Sequence, residues 1–188
     1  MKLTHIALVA ALMSGGILIA APINAAGNDN KAADKGAMQQ AGGQVAEQDK
    51  KFAMQAAKLG LAEVAMGKVA QQKGTDPVKK FGEHMVQEHS KANEKLMQIA
   101  QEKGIQLPQQ IDERAQTKMD KLSGMAGAKF DKSYLNAQVK DHKKAVKLFE
   151  KQARDGKDAA LKQFAAQTSP TLQEHLKMAE DMEKAQSR

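Results

Sequence analysis

Four of the five histidines in the chain directly follow an acidic residue, and three of these lie in apolar stripes, in the pairs Glu88-His89, Asp141-His142 and Glu174-His175. Imidazole and carboxylate groups are ligands for first-row metal ions, and they also partner one another in buried hydrogen bonds. Each histidine recurs with apolar residues at spacings of three or four, which places it on the inward face of a helix. Because an unpartnered polar group is costly to bury, these rings need partners.

A carboxylate occupies the equivalent place in a fourth apolar stripe. Glu63 follows Phe52, Ala56 and Leu59 and precedes Met66 at helical spacing. A turn near residue 75 lies about twelve residues from both Glu63 and the Glu88-His89 pair, so the two positions are level in a hairpin of helices. The sequence therefore predicts that one carboxylate and three imidazoles meet near the middle of a bundle.

Two interpretations of this cluster remain open. In the first, zinc, iron or manganese is bound by inner ligands from four helices, with the acids that precede the histidines as further ligands or as acceptors for the rings. The inner set is Glu63, His89, His142 and His175, and the outer set is Glu88, Asp141 and Glu174. In the second, the same groups form a buried hydrogen-bonded network in a non-catalytic binding or structural module of the cell envelope. No serine has a base and an acid in a triad pattern, so no catalytic residue is assigned.

The elements that must position these groups are almost all helical, since the apolar spacing is three and four from about residue 49 onward. The first helix is predicted over about 49–73 and ends at Gly74 in a left-handed conformation. The second starts at Thr75-Asp76-Pro77, with a capping side chain and a proline at its start, and runs to about 103. Shorter and longer segments follow at about 112–122, 128–155 and 158–184, the last kinked or broken at Pro170.

The lengths of the connections indicate the topology. The links within the first and last helix pairs are a few residues long, which makes each pair an antiparallel hairpin. About 24 residues join the two hairpins, enough to run the length of the bundle with one short helix on the way. The predicted fold class is all-α, a ferritin-like four-helix bundle of two antiparallel hairpins joined by a long crossover.

The first 25 residues have the pattern of a secretory signal peptide. Lys2 precedes a run of about 16 uncharged, mostly apolar residues, and small residues lead up to a cleavage position near Ala25. Residues 26–47 are rich in Gly, Ala, Asn and Gln without apolar periodicity, which is typical of a flexible leader. We therefore expect a periplasmic or secreted protein whose bundle spans residues 48–185.

Composition limits the partners. There is no cysteine, so packing rather than disulfides must stabilise an exported domain. The net charge of +7 is spread over Lys and Glu on helix exteriors and permits at most weak contact with anionic envelope surfaces. One tyrosine and five phenylalanines leave little for stacking on bases, which disfavours nucleic acid. A homodimer remains open.

Three stretches resemble a known bacterial family, the domain of unknown function 4142. They are the run QAAKLGLAEVAMGKVAQQKGTDPVKKFGEHMVQEHSKANEKL, the segment YLNAQVKDHKKAVKLFEKQARDGKD and the segment TSPTLQEHLKMA. The resemblance covers about residues 51–182 and implies an exported protein with a ferritin-like fold, but it implies no activity. Ferritin-like proteins commonly hold two metal ions with Glu-x-x-His motifs, and this chain contains none. A dinuclear site is therefore not expected.

Overall fold

The computed structural model describes residues 44–186, in which five helices and no strand are found. The four long helices are α1 (Glu47–Lys73), α2 (Asp76–Glu102), α4 (Gly127–Asp155) and α5 (Ala159–Gln186). The short helix α3 (Glu113–Ser123) lies in the connection between α2 and α4. All of the predicted helix ends lie within two residues of these bounds, and the all-α bundle is confirmed.

The packing of helix ends confirms the long crossover. One apolar cluster joins the start of α1, the end of α2, the end of α4 and the start of α5 through Phe52, Leu96, Phe149 and Leu161. The α2–α4 connection leaves from this end, yet α4 begins at the opposite end, where Phe130 contacts the other cluster. Residues 103–126 therefore travel the length of the bundle, and neighbouring helices are antiparallel. α1 packs against α2 and α4, α5 packs against the same two helices, and α3 covers the α1–α4 side.

Two local predictions at the first turn are wrong. Gly74 has φ −74° and ψ 166°, so it is extended rather than left-handed. It is suited to glycine because a Cβ there would lie 2.8 Å from Cγ1 of Val78 and 2.9 Å from the carbonyl oxygen of Ala70. The Thr75 side chain does not cap α2, and its hydroxyl instead donates to Oδ2 of Asp131 on α4 at 2.6 Å. The Thr75 hydroxyl thus forms a hydrogen bond to the other hairpin instead of a cap on its own helix.

Pro170 does not break α5, which is continuous from Ala159 to Gln186. The proline cannot donate to the carbonyl of Ala166, four residues earlier. Both Ala166 and Pro170 are exposed, so that carbonyl can be hydrated, and the helix tolerates the missing bond. A proline on the outward face therefore leaves the inward stripe of α5 intact.

The bundle core consists of two apolar clusters with a polar layer between them. The first cluster contains Phe52, Leu96, Phe149 and Leu161, and the second contains Met66, Phe81, Tyr134 and Leu135. The layer between them holds five buried polar side chains: Glu63, His89, Gln138, His142 and His175. Each long helix thus supplies at least one buried polar group to this layer.

The predicted signal peptide, residues 1–25, and nearly all of the predicted leader, 26–47, lie outside the described residues. Within residues 44–186 no helix is both long enough and apolar enough to cross a membrane.

Candidate metal centre

Three imidazole rings converge in the polar layer. The ring centroids of His89, His142 and His175 lie 5.2 to 5.6 Å apart in all three pairs. One ring nitrogen from each can be chosen so that all three lie within 4.8 Å of one another. Two imidazoles on one tetrahedral ion, at metal–nitrogen distances of about 2.0–2.1 Å, have ring centres about 5 Å apart. The rings therefore already have nearly the separation that a shared ion requires.

Four buried ring nitrogens of these histidines have no hydrogen-bond partner among the described residues. They are Nε2 of His89, Nε2 of His142 and both ring nitrogens of His175. All three residues are at most 7% exposed, so bulk solvent scarcely reaches the rings. Native proteins partner the large majority of buried polar atoms, and four such atoms at one place need an explanation.

The tautomer of His142 is fixed by the backbone carbonyl of Gln138. Nδ1 lies 3.1 Å from the carbonyl oxygen of Gln138, one turn earlier on α4, and a carbonyl can only accept. In the neutral ring Nδ1 therefore carries the proton and donates it, and Nε2 presents its lone pair to the interior. A histidine held through one nitrogen by a carbonyl, with the other free, has the arrangement of metal-binding histidines.

Burial keeps the three rings neutral. It lowers the pKa of His142 from 6.5 to about 4 and that of His175 to about 3, and it holds the pKa of His89 well below its ordinary value. The neighbouring rings add to the effect on His89 and His175, because charged rings would repel one another. Neutral imidazoles offer lone pairs at pH 7, which is the state that binds a metal.

Glu63 is buried in the same layer but faces a different partner. It is 4% exposed, and its Oε2 accepts a hydrogen bond of 2.7 Å from Nε2 of Gln138. Burial raises the pKa of this carboxyl to about 8, despite the opposing effect of the Gln138 amide, so the group is mostly protonated at pH 7. Its oxygens are not part of the set of atoms that lie within 4.8 Å of one another. Glu63 is thus beside the histidine group rather than in it.

The acids that precede the histidines point elsewhere. Glu88 pairs with Lys91 at 2.9 Å, Asp141 pairs with Lys118 on α3, and Glu174 is exposed. Adjacent residues on a helix are about 100° apart, so an inward histidine turns its neighbour sideways or outward. None of these three carboxylates belongs to the group of converging ligand atoms within residues 44–186.

Two residues of the site were not singled out by sequence reasoning. Gln138 binds both Glu63 and, through its carbonyl, His142. It lies four residues before His142 on the inward face of α4, a spacing that could have indicated it. His84 is half-buried, and its ring centroid is 5.2 Å from that of His175. Helical spacing does not indicate His84, because it lies off the α2 stripe that contains His89.

A small cavity lies next to the histidines. Its volume is about 20 Å³, and its polar lining includes Glu63, His89, Asp141 and His142. A volume of this size holds about one water molecule. The site thus has room for one small ligand beside the rings of His89 and His142.

The fold and the site define a class: a helical bundle with three histidines grouped at its centre. Residues 34–182 match the family described as Domain of unknown function (DUF4142), and the chain belongs to that family. In structure the chain is similar to a DUF305 fragment from Deinococcus radiodurans, with a TM-score of 0.67 and 12% sequence identity over 76% of this chain and 99% of that one. At this identity the likeness concerns the fold alone. None of the curated proteins compared with the chain matches it.

Proposed function

We propose that the protein binds one first-row transition metal ion at the centre of its bundle, with His89, His142 and His175 as ligands. The observation that carries this proposal is the set of buried ring nitrogens without hydrogen-bond partners in the described part of the chain. An ion would replace the missing partners at all three rings at once. Three imidazoles and an open fourth position suit zinc or iron better than manganese, which favours carboxylate oxygens.

The hydrogen-bonded network is the weaker of the two interpretations. It requires the rings to bond with one another or with nearby acids, whereas the nitrogens that face inward have no such partners within residues 44–186. A dinuclear centre of the ferritin-like kind does not fit either, since neither Glu63 nor any of the three acids that precede the histidines belongs to the group of converging ligand atoms. The arrangement therefore supports a mononuclear site.

The test is stoichiometric binding by protein purified without a histidine tag. After chelator treatment and reconstitution with Zn²⁺, we expect about one ion per chain, and stabilisation by about 2.7 kcal/mol when free zinc is 100 times the dissociation constant. His142→Ala should abolish both effects. Tyr134→Phe is the matched control, because it removes another buried atom without a partner from α4 and leaves the three rings intact.

Zinc below about a tenth of an equivalent after reconstitution, or equal binding by wild type and His142→Ala, would contradict the proposal. If the protein also failed to bind Fe²⁺ under anaerobic conditions, the proposal would be contradicted for iron as well as for zinc.

We also propose that the protein is exported, with cleavage near Ala25. The support is the charged start, apolar run and small residues of the first 25 positions. Mass spectrometry of the protein recovered from its bacterial host should give a mature chain that begins close to residue 26. Recovery of the uncleaved chain from the cytoplasm would contradict export.

A further inference from the structure

We propose that His84 and His175 form an outer metal position on the α2–α5 side, and that the ion passes through it to the three-histidine centre. This inference rests on the proposed function and adds the route by which the ion arrives. It concerns a residue outside the central group. His84 itself is not among the converging ligand atoms.

The first observation is that His175 has two free nitrogens. Both Nδ1 and Nε2 are buried and lack hydrogen-bond partners among the described residues. An ion at the centre uses only one of them. The ring centroid lies 5.2 Å from that of His84, and 5.2 and 5.5 Å from those of His89 and His142. His175 is therefore adjacent both to the half-buried His84 and to the two other central rings.

The second observation is the exposure of His84. It is half-buried, whereas the three central histidines are buried. His84 and His89 are five positions apart on α2, a rotation of about 140°, so the two rings leave the helix in different directions. Glu88 follows His84 by four residues and so shares its side of α2, where its partly exposed carboxylate pairs with Lys91.

The third observation is that the groove on the opposite side of the bundle carries more basic than acidic side chains. Helix α3 crosses the α1–α4 side, and Lys118 on it pairs with Asp141. The groove there has a volume of about 470 Å³. Its lining has four basic side chains, Lys58, Arg114, Lys118 and Lys144, against the aspartates 112 and 141 and the buried Glu63. This excess of positive charge repels a metal ion.

These observations set the order of events. A neutral imidazole has one lone pair, so His175 holds an ion either with His84 or with the two central rings, and not with both at once. The outer position is filled first because His84 contacts solvent. The inner position is favoured at equilibrium because it offers three nitrogens instead of two. His84 should therefore control how fast the ion arrives and not how tightly it is finally held.

The test separates rate from affinity. Co²⁺ is mixed with the metal-free protein, and the visible absorption of the bound ion is followed by stopped flow. His84→Ala should slow loading by about ten-fold or more, while the equilibrium dissociation constant stays within about two-fold of wild type. Gln98→Ala, an exposed position on the same helix, is the matched control and should leave the rate unchanged. His84→Glu retains a ligand atom and should restore most of the rate.

Equal loading rates for wild type and His84→Ala would overturn the proposal. A large loss of equilibrium affinity in His84→Ala would overturn it too, because His84 would then be a ligand of the final site. Absence of Co²⁺ binding by wild type would instead count against the proposed function, so the two failures are distinguishable. Circular dichroism of each variant checks that the bundle is folded.

Discussion

The buried aspartates at the ends of the bundle have hydrogen-bond partners, whereas most ring nitrogens of the buried histidines in its middle do not. At one end Asp49 on α1 is fully buried and accepts hydrogen bonds from the backbone N–H groups of Lys157 and Asp158 and from the Gln152 amide. At the other end Asp131 on α4 accepts from the backbone N–H and the hydroxyl of Thr75. Each aspartate belongs to one hairpin and binds the turn of the other. Among the described residues, Nδ1 of His142 donates to a backbone carbonyl, but four other ring nitrogens of the central histidines have no partner.

This contrast separates structural groups from binding groups. A buried carboxylate that is filled with N–H donors is stabilised by them and ties the two hairpins together. A buried imidazole with a free lone pair lowers stability until a ligand arrives. If the contrast is correct, removal of an end aspartate and removal of a central histidine should have opposite effects on the metal-free protein.

The largest expected effect is at Asp49. Asp49→Ala leaves two backbone N–H groups and an amide without their acceptor, and should lower the free energy of unfolding by about 3 kcal/mol. Urea denaturation of the metal-free protein measures this loss. Asp76→Ala is the control, because that side chain is 89% exposed, and it should cost less than about 0.5 kcal/mol. A loss at Asp49 no greater than at Asp76 would remove the distinction between the two regions.

The pH dependence of the metal-free protein should show an effect of intermediate size. Glu63 has a folded pKa of about 8, above its ordinary 4.5, so the folded state holds an extra proton between these values and stability falls as pH rises toward 8. The histidines have lowered folded pKa values, about 4 for His142 and about 3 for His175, so stability falls as pH drops below 6.5. Each group contributes at most about 1.4 kcal/mol per pH unit.

These opposing slopes place the stability maximum near pH 7, because the histidine effect fades as pH rises past 6.5 while the Glu63 effect continues. Unfolding free energies measured with chelator from about pH 5 to 9 should fall by about 1 kcal/mol between about pH 7 and 9. Glu63→Gln keeps an acceptor for Gln138 and should remove this fall while leaving the acid limb. Persistence of the alkaline fall in Glu63→Gln would show that another group is responsible.

The sequence predicted the fold and the three rings well because both depend on local periodicity. Helical spacing alone placed His89, His142 and His175 on inward faces, and glycines marked the ends of three of the four long helices. Counting from the turns left His175 about one turn away from the level of His142, yet the rings meet, since a long side chain spans part of that distance.

The polar partners could not be predicted in the same way. Whether Asp141 turns to His142 or to Lys118 depends on where the crossover helix packs, and no local pattern encodes that. The Thr75 hydroxyl was expected to cap its own helix, but Asp131 is 56 positions away in sequence and binds it instead. Tertiary packing decides which partner a polar side chain binds, whereas spacing in the sequence decides which apolar side chains face the core.

The smallest expected effect is the most direct test of the contrast. His175→Leu replaces a ring that has two buried, unpartnered nitrogens in the described structure with an apolar side chain of similar size. In the metal-free protein it should raise the free energy of unfolding by about 1 kcal/mol, because the cost of desolvating those nitrogens disappears. In excess Zn²⁺ the order should reverse, since wild type gains the binding energy and the variant does not. If the histidines instead formed a satisfied network, the same substitution would destabilise the metal-free protein, so the sign of the change decides between the two interpretations.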